Sequence, residues 1–306
     1  MANNCPKVRI ASSSWNPGSW TKNGVYYSTQ LPIEEADALL GLYDPMPELL
    51  FYTGPKLWFT LEPQWHSFWK RGVGKQLVQK LKSDEIAYYA HPDPKYRIPH
   101  MTTVNNFDCV RDSCIPKNAA IAIVSNYGGR LYFTKSFIRL RNRFILSPLV
   151  ELYGRSDSWK QFRHFPQLYK VGKPDNYRGD LPNPFQESSL MFMSNYKVCV
   201  CLENSCEPYY FTEKFVNAVR AGCIPIYHAH FTIREQFLKD ALWVDPANFN
   251  FNVEDTINYA LKQDLAHYRQ INDNWLTSNN FLATTTTDAF WERITTLMEE
   301  KLIATS

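Results

Sequence analysis

Two stretches of strand length, AAIAIV (119–124) and YKVCVC (196–201), carry almost no polar residues. A strand with one wet face alternates apolar and polar residues. A run without that alternation belongs to a strand covered on both faces, as in a parallel sheet with helices packed above and below. Parallel neighbours need long crossovers, usually helical, and helical patterns lie between the apolar runs here. Strands are expected at Val8–Ala11, Glu48–Tyr52, Leu57–Thr60, Glu85–Ala90 and Leu149–Gly154, and again in CIPIYHA (223–229). Helical stretches are expected from Ile33 to Tyr43, Gly74 to Lys82, Arg130 to Phe144, Thr212 to Gly222, Phe231 to Asp240 and Val253 to Gln263. The polar, Pro- and Gly-rich residues 155–187 read as a long loop. NNFDCVRDSCIPKN (105–118) follows neither period, so a boundary is placed at 116/117. The expected architecture is α/β: two doubly wound, Rossmann-like domains, 1–116 and 117–280, facing each other across a cleft. Residues 281–306 hold an amphipathic helix, with Phe290, Trp291, Ile294, Leu297, Met298 and Leu302 on one stripe, expected to pack back on the first domain.

Length and composition narrow the function. The chain has 306 residues, enough for two cores, with 44% hydrophobic and 21% charged residues. A formal charge of +3 argues against a nucleic-acid partner held by backbone electrostatics. No apolar run reaches membrane-span length, and no signal-peptide pattern opens the sequence. No asparagine begins an N-x-S/T sequon. The expectation is a cytosolic protein, or the soluble domain of a larger or Golgi-anchored one. The seven cysteines are an odd number without nearby histidine clusters, which disfavours a zinc site; one or two disulfides stay open.

The chemistry is concentrated in CLENSCEPYYFTEKFVNAVRAGCIPIYHA (201–229). A strand ends near Asn204, at the carboxyl edge of its sheet, where open α/β folds bind ligands. Thr212 caps the next helix and Gly222 stops it. The free N–H groups of a helix start attract phosphate, and Lys214 in the first turn adds a full positive charge. Glu213 suits a pair of vicinal hydroxyls, as on a ribose, rather than a phosphate. Taken alone, Glu-Lys after Thr is equally the composition of a solvated helix start, because glutamate complements the dipole.

This block resembles the α1,3/4-fucosyltransferases, glycosyltransferase family 10. The family pattern runs Phe-Glu-Asn-Ser, a short spacer, Tyr-(Val/Ile)-Thr-Glu-Lys, and a helix ending before Val/Ile-Pro-Val/Ile. Here Leu202 and Phe211 make apolar replacements within it. Fainter similarities follow in the family's order: LWFTLEPQWH (57–66), EIAYYAHPDPKYRIPH (85–100), AIVSNYGGRLYF (122–133) and VELYGRSDSW (150–159).

The resemblance implies a GT-B fold and inverting transfer of fucose from GDP-fucose to a glycan hydroxyl, α1,3-type, by single displacement. It implies a first domain on the acceptor side and a second binding the donor. Glu213 would meet the ribose and Lys214 the α-phosphate, with Asn204, Tyr210, Ser125 and Asn126 lining the site. Arg130 would hold the β-phosphate, with Arg139, Arg141 or Arg155 as alternatives. Positive groups there stabilise charge on the departing GDP. The acceptor hydroxyl must lose a proton, and Glu62 matches the family position for that base. Trp15, Trp65 and His66 are candidate acceptor contacts. No Asp-x-Asp motif occurs, so no metal is required, and Mn²⁺ or Mg²⁺ keeps at most a stimulatory part. The alternatives are a GT-B enzyme using another nucleotide sugar and a carbohydrate-binding protein without turnover.

Overall fold

The computed structural model describes residues 5–62, 67–98, 106–111, 115–124, 136–154, 174–181 and 187–305. The chain divides into two compact units, Met1–Thr103 with Thr284–Ser306, and Val104–Ala283.

The first unit contains β1 (Lys7–Ala11), β2 (Ser19–Lys22), β3 (Val25–Ser28), β4 (Ala38–Leu42), β5 (Lys56–Phe59) and β6 (Ile86–Ala87). They form one sheet in the order β2-β3-β1-β4-β5-β6. Every pairing is parallel except β2 with β3. Side chains alternate between two separate cores. Val8, Ile10, Leu40, Leu42, Leu57 and Phe59 meet Phe290, Ile294, Leu297 and Met298 of the helix Thr287–Ile303. Ala11, Leu39 and Trp58 point the other way, onto Leu49, Leu77 and Leu81.

Three segments depart from the sequence expectations. Ile33–Glu35 is one 3₁₀ turn, and the apolar residues after it form β4, all five buried. A strand buried on both faces loses its period of two, so ALLGL reads equally as helix. Glu48–Phe51 is a single helical turn rather than a strand. Pro47, with φ −58° and ψ −31°, starts it in the helical region. Leu49 then fills the space above Gly41, where a Cβ would lie 2.4 Å from the leucine Cδ1. The strand at Glu85–Ala90 shortens to Ile86–Ala87. The β2–β3 hairpin is an addition. Its signal is Asn23-Gly24, both at positive φ (49° and 78°), the pairing that tight hairpin turns demand.

The second unit contains β7 (Lys117–Val124), β8 (Val150–Gly154), β9 (Tyr177–Asp180), β10 (Tyr196–Val200) and β11 (Ile224–Ile226). The order is β11-β10-β7-β8-β9, and all pairings are parallel. The expected loop at 155–187 is therefore interrupted by β9, a short edge strand reading YRGD. An edge strand with polar residues leaves no apolar pattern to read. Gly154 ends β8 where a Cβ would sit 2.0 Å from the Val124 carbonyl oxygen, so only glycine lets the two strand ends close. The chain builds β7, β8 and β9 outward in one direction, then returns to place β10 and β11 on the other side. The reversal between β7 and β10 makes their carboxyl ends a topological switch point. Each unit is thus a Rossmann-like α/β layer structure. Among the described residues, no helix is long and apolar enough to cross a membrane.

Candidate active site

β10 runs out at Val200, and the chain continues through Cys201 and Leu202 to Glu203 and Asn204 at the switch point. The helix Glu213–Arg220 begins nine residues later. Thr212 is extended (φ −115°, ψ −179°), and its Oγ1 accepts from Lys214 N at 3.4 Å, so it is the N-cap. Phe215, Val216, Ala218 and Val219 are buried, and Gly222 at φ +71° closes the helix. The loop between is pinned by Tyr209 N donating to Thr232 Oγ1 at 3.0 Å. Tyr209 itself has φ 60°, a conformation that costs a bulky residue free energy and clusters at functional sites.

The centre of this edge is a residue to which sequence reasoning gave no role. Glu203 is 1% exposed. Its carboxylate accepts from Thr212 N at 2.9 Å, Thr212 Oγ1 at 2.8 Å, Tyr227 OH at 3.1 Å and Lys214 Nζ at 3.0 Å. Lys214 Nζ also donates to Thr212 Oγ1 at 2.9 Å and lies 3.9 Å from Glu213 Oε1. Burial acts to lower the lysine's pKa, but the charges of Glu203 and Glu213 outweigh it and hold the group above its ordinary value. Lys214 is therefore a fixed cation, with its side chain 28% exposed. The signal for Glu203 was its place in the ENS segment next to Asn204; its partners come from 212, 214 and 227, which only the fold unites. A buried carboxylate with four donors leaves all of them stranded when removed. Glu203→Ala is expected to destabilise the protein by about 3–5 kcal/mol, read by denaturant titration.

Arg141, on the helix Ser136–Ile145, joins the same cluster. It is 8% exposed, donates through Nη1 to Asn204 Oδ1, and its charge is felt at Lys214. Arg139 is exposed. Ser125, Asn126, Arg130 and Arg155 lie outside the described residues, so Arg141 is the arginine that the described structure brings to Asn204. Tyr210 is 3% exposed, with its N–H on the Glu207 carbonyl at 3.2 Å. Glu213 has 14% side-chain exposure beside Lys214.

One strand further along, His228 follows β11. Its Nδ1 lies 2.8 Å from Asp245 Oδ1, and Asp245 follows Val244, which bridges Ile226. Burial works to lower the ring's pKa; hydrogen bonds with Asp245 and Cys206 reverse that and raise it to about 9. A folded-state value above the unfolded one means the pair stabilises fully below about pH 6.5 and loses that contribution as pH rises through about 9. Parent and His228→Gln are expected to differ by about 3 kcal/mol at low pH, with the gap closing between those values in melting curves at stepped pH.

In the first unit the carboxyl edge presents Glu62, just past β5. Its Oε1 accepts from Tyr43 OH, its carbonyl oxygen accepts from Trp69 Nε1 at 3.0 Å, and its N–H meets Thr60 Oγ1 at 3.3 Å. Tyr43, past β4, has φ 65°, and burial together with the Glu62 charge pushes its phenol pKa well up, keeping it a donor. Trp15 is engaged with the C-terminal helix: its ring stacks on Phe290 at 5.6 Å and packs on Trp291 at 5.2 Å. Trp65 and His66 lie outside the described residues. Among the described residues, no group of three or more His, Cys, Asp or Glu side chains is placed to hold a metal ion. The described cysteines 5, 109, 199, 201, 206 and 223 are free thiols.

Comparison with known proteins places this edge in context. A family model described as glycosyltransferase family 10 (fucosyltransferase), C-terminal part, matches residues 140–293. A 100-residue stretch is 33% identical to alpha-(1,3)-fucosyltransferase B of Drosophila melanogaster, covering 30% of this chain and 22% of that protein. A crystal structure of an alpha1,3-fucosyltransferase aligns over 98% of this chain and 92% of its own, with a TM-score of 0.52 at 16% identity. Another, with GDP-fucose, aligns over 98% and 93%, with a TM-score of 0.50 at 16% identity. At such identity these likenesses bear on the fold, which is GT-B with a C-terminal helix. The family match is of a different kind. It runs through half the chain, from the helix of Arg141 past the Glu203–Lys214 network, and by it this protein belongs to glycosyltransferase family 10, the fucosyltransferases.

Proposed function

We propose that the protein transfers L-fucose from GDP-fucose to a hydroxyl of a glycan acceptor, with inversion, by a single displacement that forms an α1,3-type linkage. The observation that carries this reading is the pair of buried or half-buried cations, Lys214 and Arg141, gathered at the switch-point end of β10. A diphosphate needs fixed positive charge more as it departs than while it is bound, because charge builds on the β-phosphate oxygen as the bond to fucose breaks. Glu203 orients Lys214 so that no reorganisation is needed at that moment. In this reading Lys214 meets the α-phosphate, Arg141 the β-phosphate and Glu213 the ribose hydroxyls, while Asn204 and Tyr210 shape the loop around them. The α1,3-fucosyltransferase structure with GDP-fucose supports the donor assignment.

The acceptor hydroxyl gives up its proton as it attacks carbon 1 of fucose. Glu62 takes it, held in place by Tyr43. The sugar passes through an oxocarbenium-like state, as in glycosidase chemistry. The charge that a divalent ion supplies in other transferases is assigned here to Lys214 and Arg141.

Donor choice is the direct test. GDP at 100 times its Kd is expected to stabilise the folded protein by about 2.7 kcal/mol in thermal melts, and UDP at the same concentration by nothing measurable. GDP-fucose with a panel of oligosaccharides should then give products heavier by one fucose. Equal stabilisation by UDP sinks the guanosine assignment.

A further inference from the structure

We propose that Trp15, Trp20 and Trp291 form a platform for the non-reacting sugars of the acceptor, so that the acceptor is an oligosaccharide rather than a single sugar. The proposal rests on the glycan-acceptor reading above and specifies the size of that acceptor. All three tryptophans belong to the first unit. Trp15 lies in the SSSWN loop that follows β1. Trp20 sits on β2 opposite Tyr27, next to the carboxyl end of β3. Trp291 is near the start of the helix Thr287–Ile303. The adjacent Phe290 packs at 4.7 Å on Phe59, the last residue of β5, so this helix begins at the carboxyl edge of the sheet. The rings touch: Trp291 lies 5.2 Å from Trp15 and 4.8 Å from Trp20.

The cluster is not spent on core packing alone. Its three rings are half-buried, while Tyr27 and Phe290 beneath them are buried. Trp20 stacks on Tyr27 at 5.2 Å, nearly parallel. Among the described residues, none of the three indole N–H groups has a hydrogen-bond partner, and none is sealed from solvent. Other indoles are used up: Trp69 and Trp275 both donate to backbone carbonyls at 3.0 Å. A half-open aromatic surface fringed with donors matches a sugar, whose C–H face lies on rings and whose hydroxyls take hydrogen bonds.

The platform is continuous with the Glu62 site. Ser13, two residues before Trp15, donates to Asp44, and Asp44 follows Tyr43, the partner of Glu62. These loops leave β1, β4 and β5, which are consecutive in the sheet. With strands about 4.8 Å apart, the loop after β1 stands about 10 Å from Glu62 and β2 about 19 Å, the reach of about two to four sugar rings.

The surface is also held in place before any ligand arrives. Lys22 pairs with Glu292, and Asn23 Nδ2 donates to Glu299 Oε1 at 3.1 Å, tying the hairpin of Trp20 to the helix of Trp291. A preformed surface costs little ordering on binding. The charges beside the rings, Lys22 and Glu292, neutralise each other, which suits an uncharged glycan.

The probes are N-acetylglucosamine and its β1,4-linked tetramer, in which every sugar keeps its 3-hydroxyl free. The native protein is oxidised with limiting N-bromosuccinimide and read by peptide mass spectrometry, with the half-buried Trp243 of the second unit as internal reference. Excess tetramer, about ten times its Kd, is expected to slow oxidation of Trp20 and Trp291 about tenfold, while the monomer at the same concentration protects neither and Trp243 does not change. With GDP-fucose, kcat/KM for the tetramer should exceed that for the monomer on the order of 100-fold, from aromatic contacts worth up to about tenfold each. Trp20→Ala should raise the tetramer's KM about tenfold, far more than it lowers kcat, and Trp20→Tyr should restore most of the loss. Rings oxidised equally with and without tetramer, or a monomer as good an acceptor as the tetramer, overturn the platform; neither comparison needs a variant to fold. Transfer to the tetramer without protection of the rings defeats the platform alone. Protection without transfer keeps the platform and defeats the fucosyl-transfer reading.

Discussion

Lys214→Ala is expected to lower turnover by about 10²–10³-fold, the usual cost of losing one preorganised electrostatic contact to a developing charge. The expectation rests on how the ammonium is held. Glu203 and Thr212 fix it at 3.0 and 2.9 Å, and its raised pKa keeps it charged at neutral pH. GDP affinity should fall too, because the α-phosphate carries charge in the bound donor as well as in the transition state. The loss in kcat should exceed the loss in affinity, since the added charge of departure is what the lysine meets most strongly. Removing the lysine also takes one of four donors from Glu203, so the variant should melt lower than the parent, and rates must be compared well below both melting points. A kcat/KM within twofold of the parent would leave Lys214 as nothing more than the partner of a buried carboxylate.

Glu62→Gln is expected to reduce transfer by about 10²–10⁴-fold, the range over which a positioned general base contributes. The amide oxygen can still accept from Tyr43, so the substitution removes the basic charge and little of the geometry. GDP binding, measured by titration calorimetry, should be unchanged. This separates the two variants: one loses donor affinity and rate together, the other only rate. Single-turnover measurement with preformed donor complex should place the whole Glu62→Gln loss in the chemical step. Transfer at near-parental rate, with the protein folded, would assign the proton to another acceptor.

The sequence revealed much of the second unit because its signals are local. Thr212 as cap, Gly222 as stop and the apolar strands at 119–124 and 196–200 are each set by residues a few positions apart. The misread segments were those where local pattern carries no direction. ALLGL, buried on both faces, and ELLF, a single turn settled by Pro47 and by the space over Gly41, needed their neighbours to decide them. Asn23-Gly24 did carry a hairpin signal in the sequence itself. Within the candidate site, Glu213 and Lys214 stood out as an adjacent pair. Arg141 was one of four arginines considered for the β-phosphate, and only its bond to Asn204, 63 positions away, sets it apart. Glu203 and Tyr43 did not stand out, because the reasons to single them out are contacts with residues 11 and 19 positions away. Long-range hydrogen bonds of that sort leave no period in a single chain.

The central claim is that a nucleoside diphosphate rests on the Lys214–Arg141 edge of the second sheet, and the most direct measurement is a crystal structure of the protein with GDP. The account predicts phosphate oxygens within hydrogen-bonding distance of Lys214 Nζ and Arg141, with the ribose hydroxyls on Glu213. GDP bound elsewhere, with Lys214 still closed on Glu203 and no phosphate beside it, would contradict it.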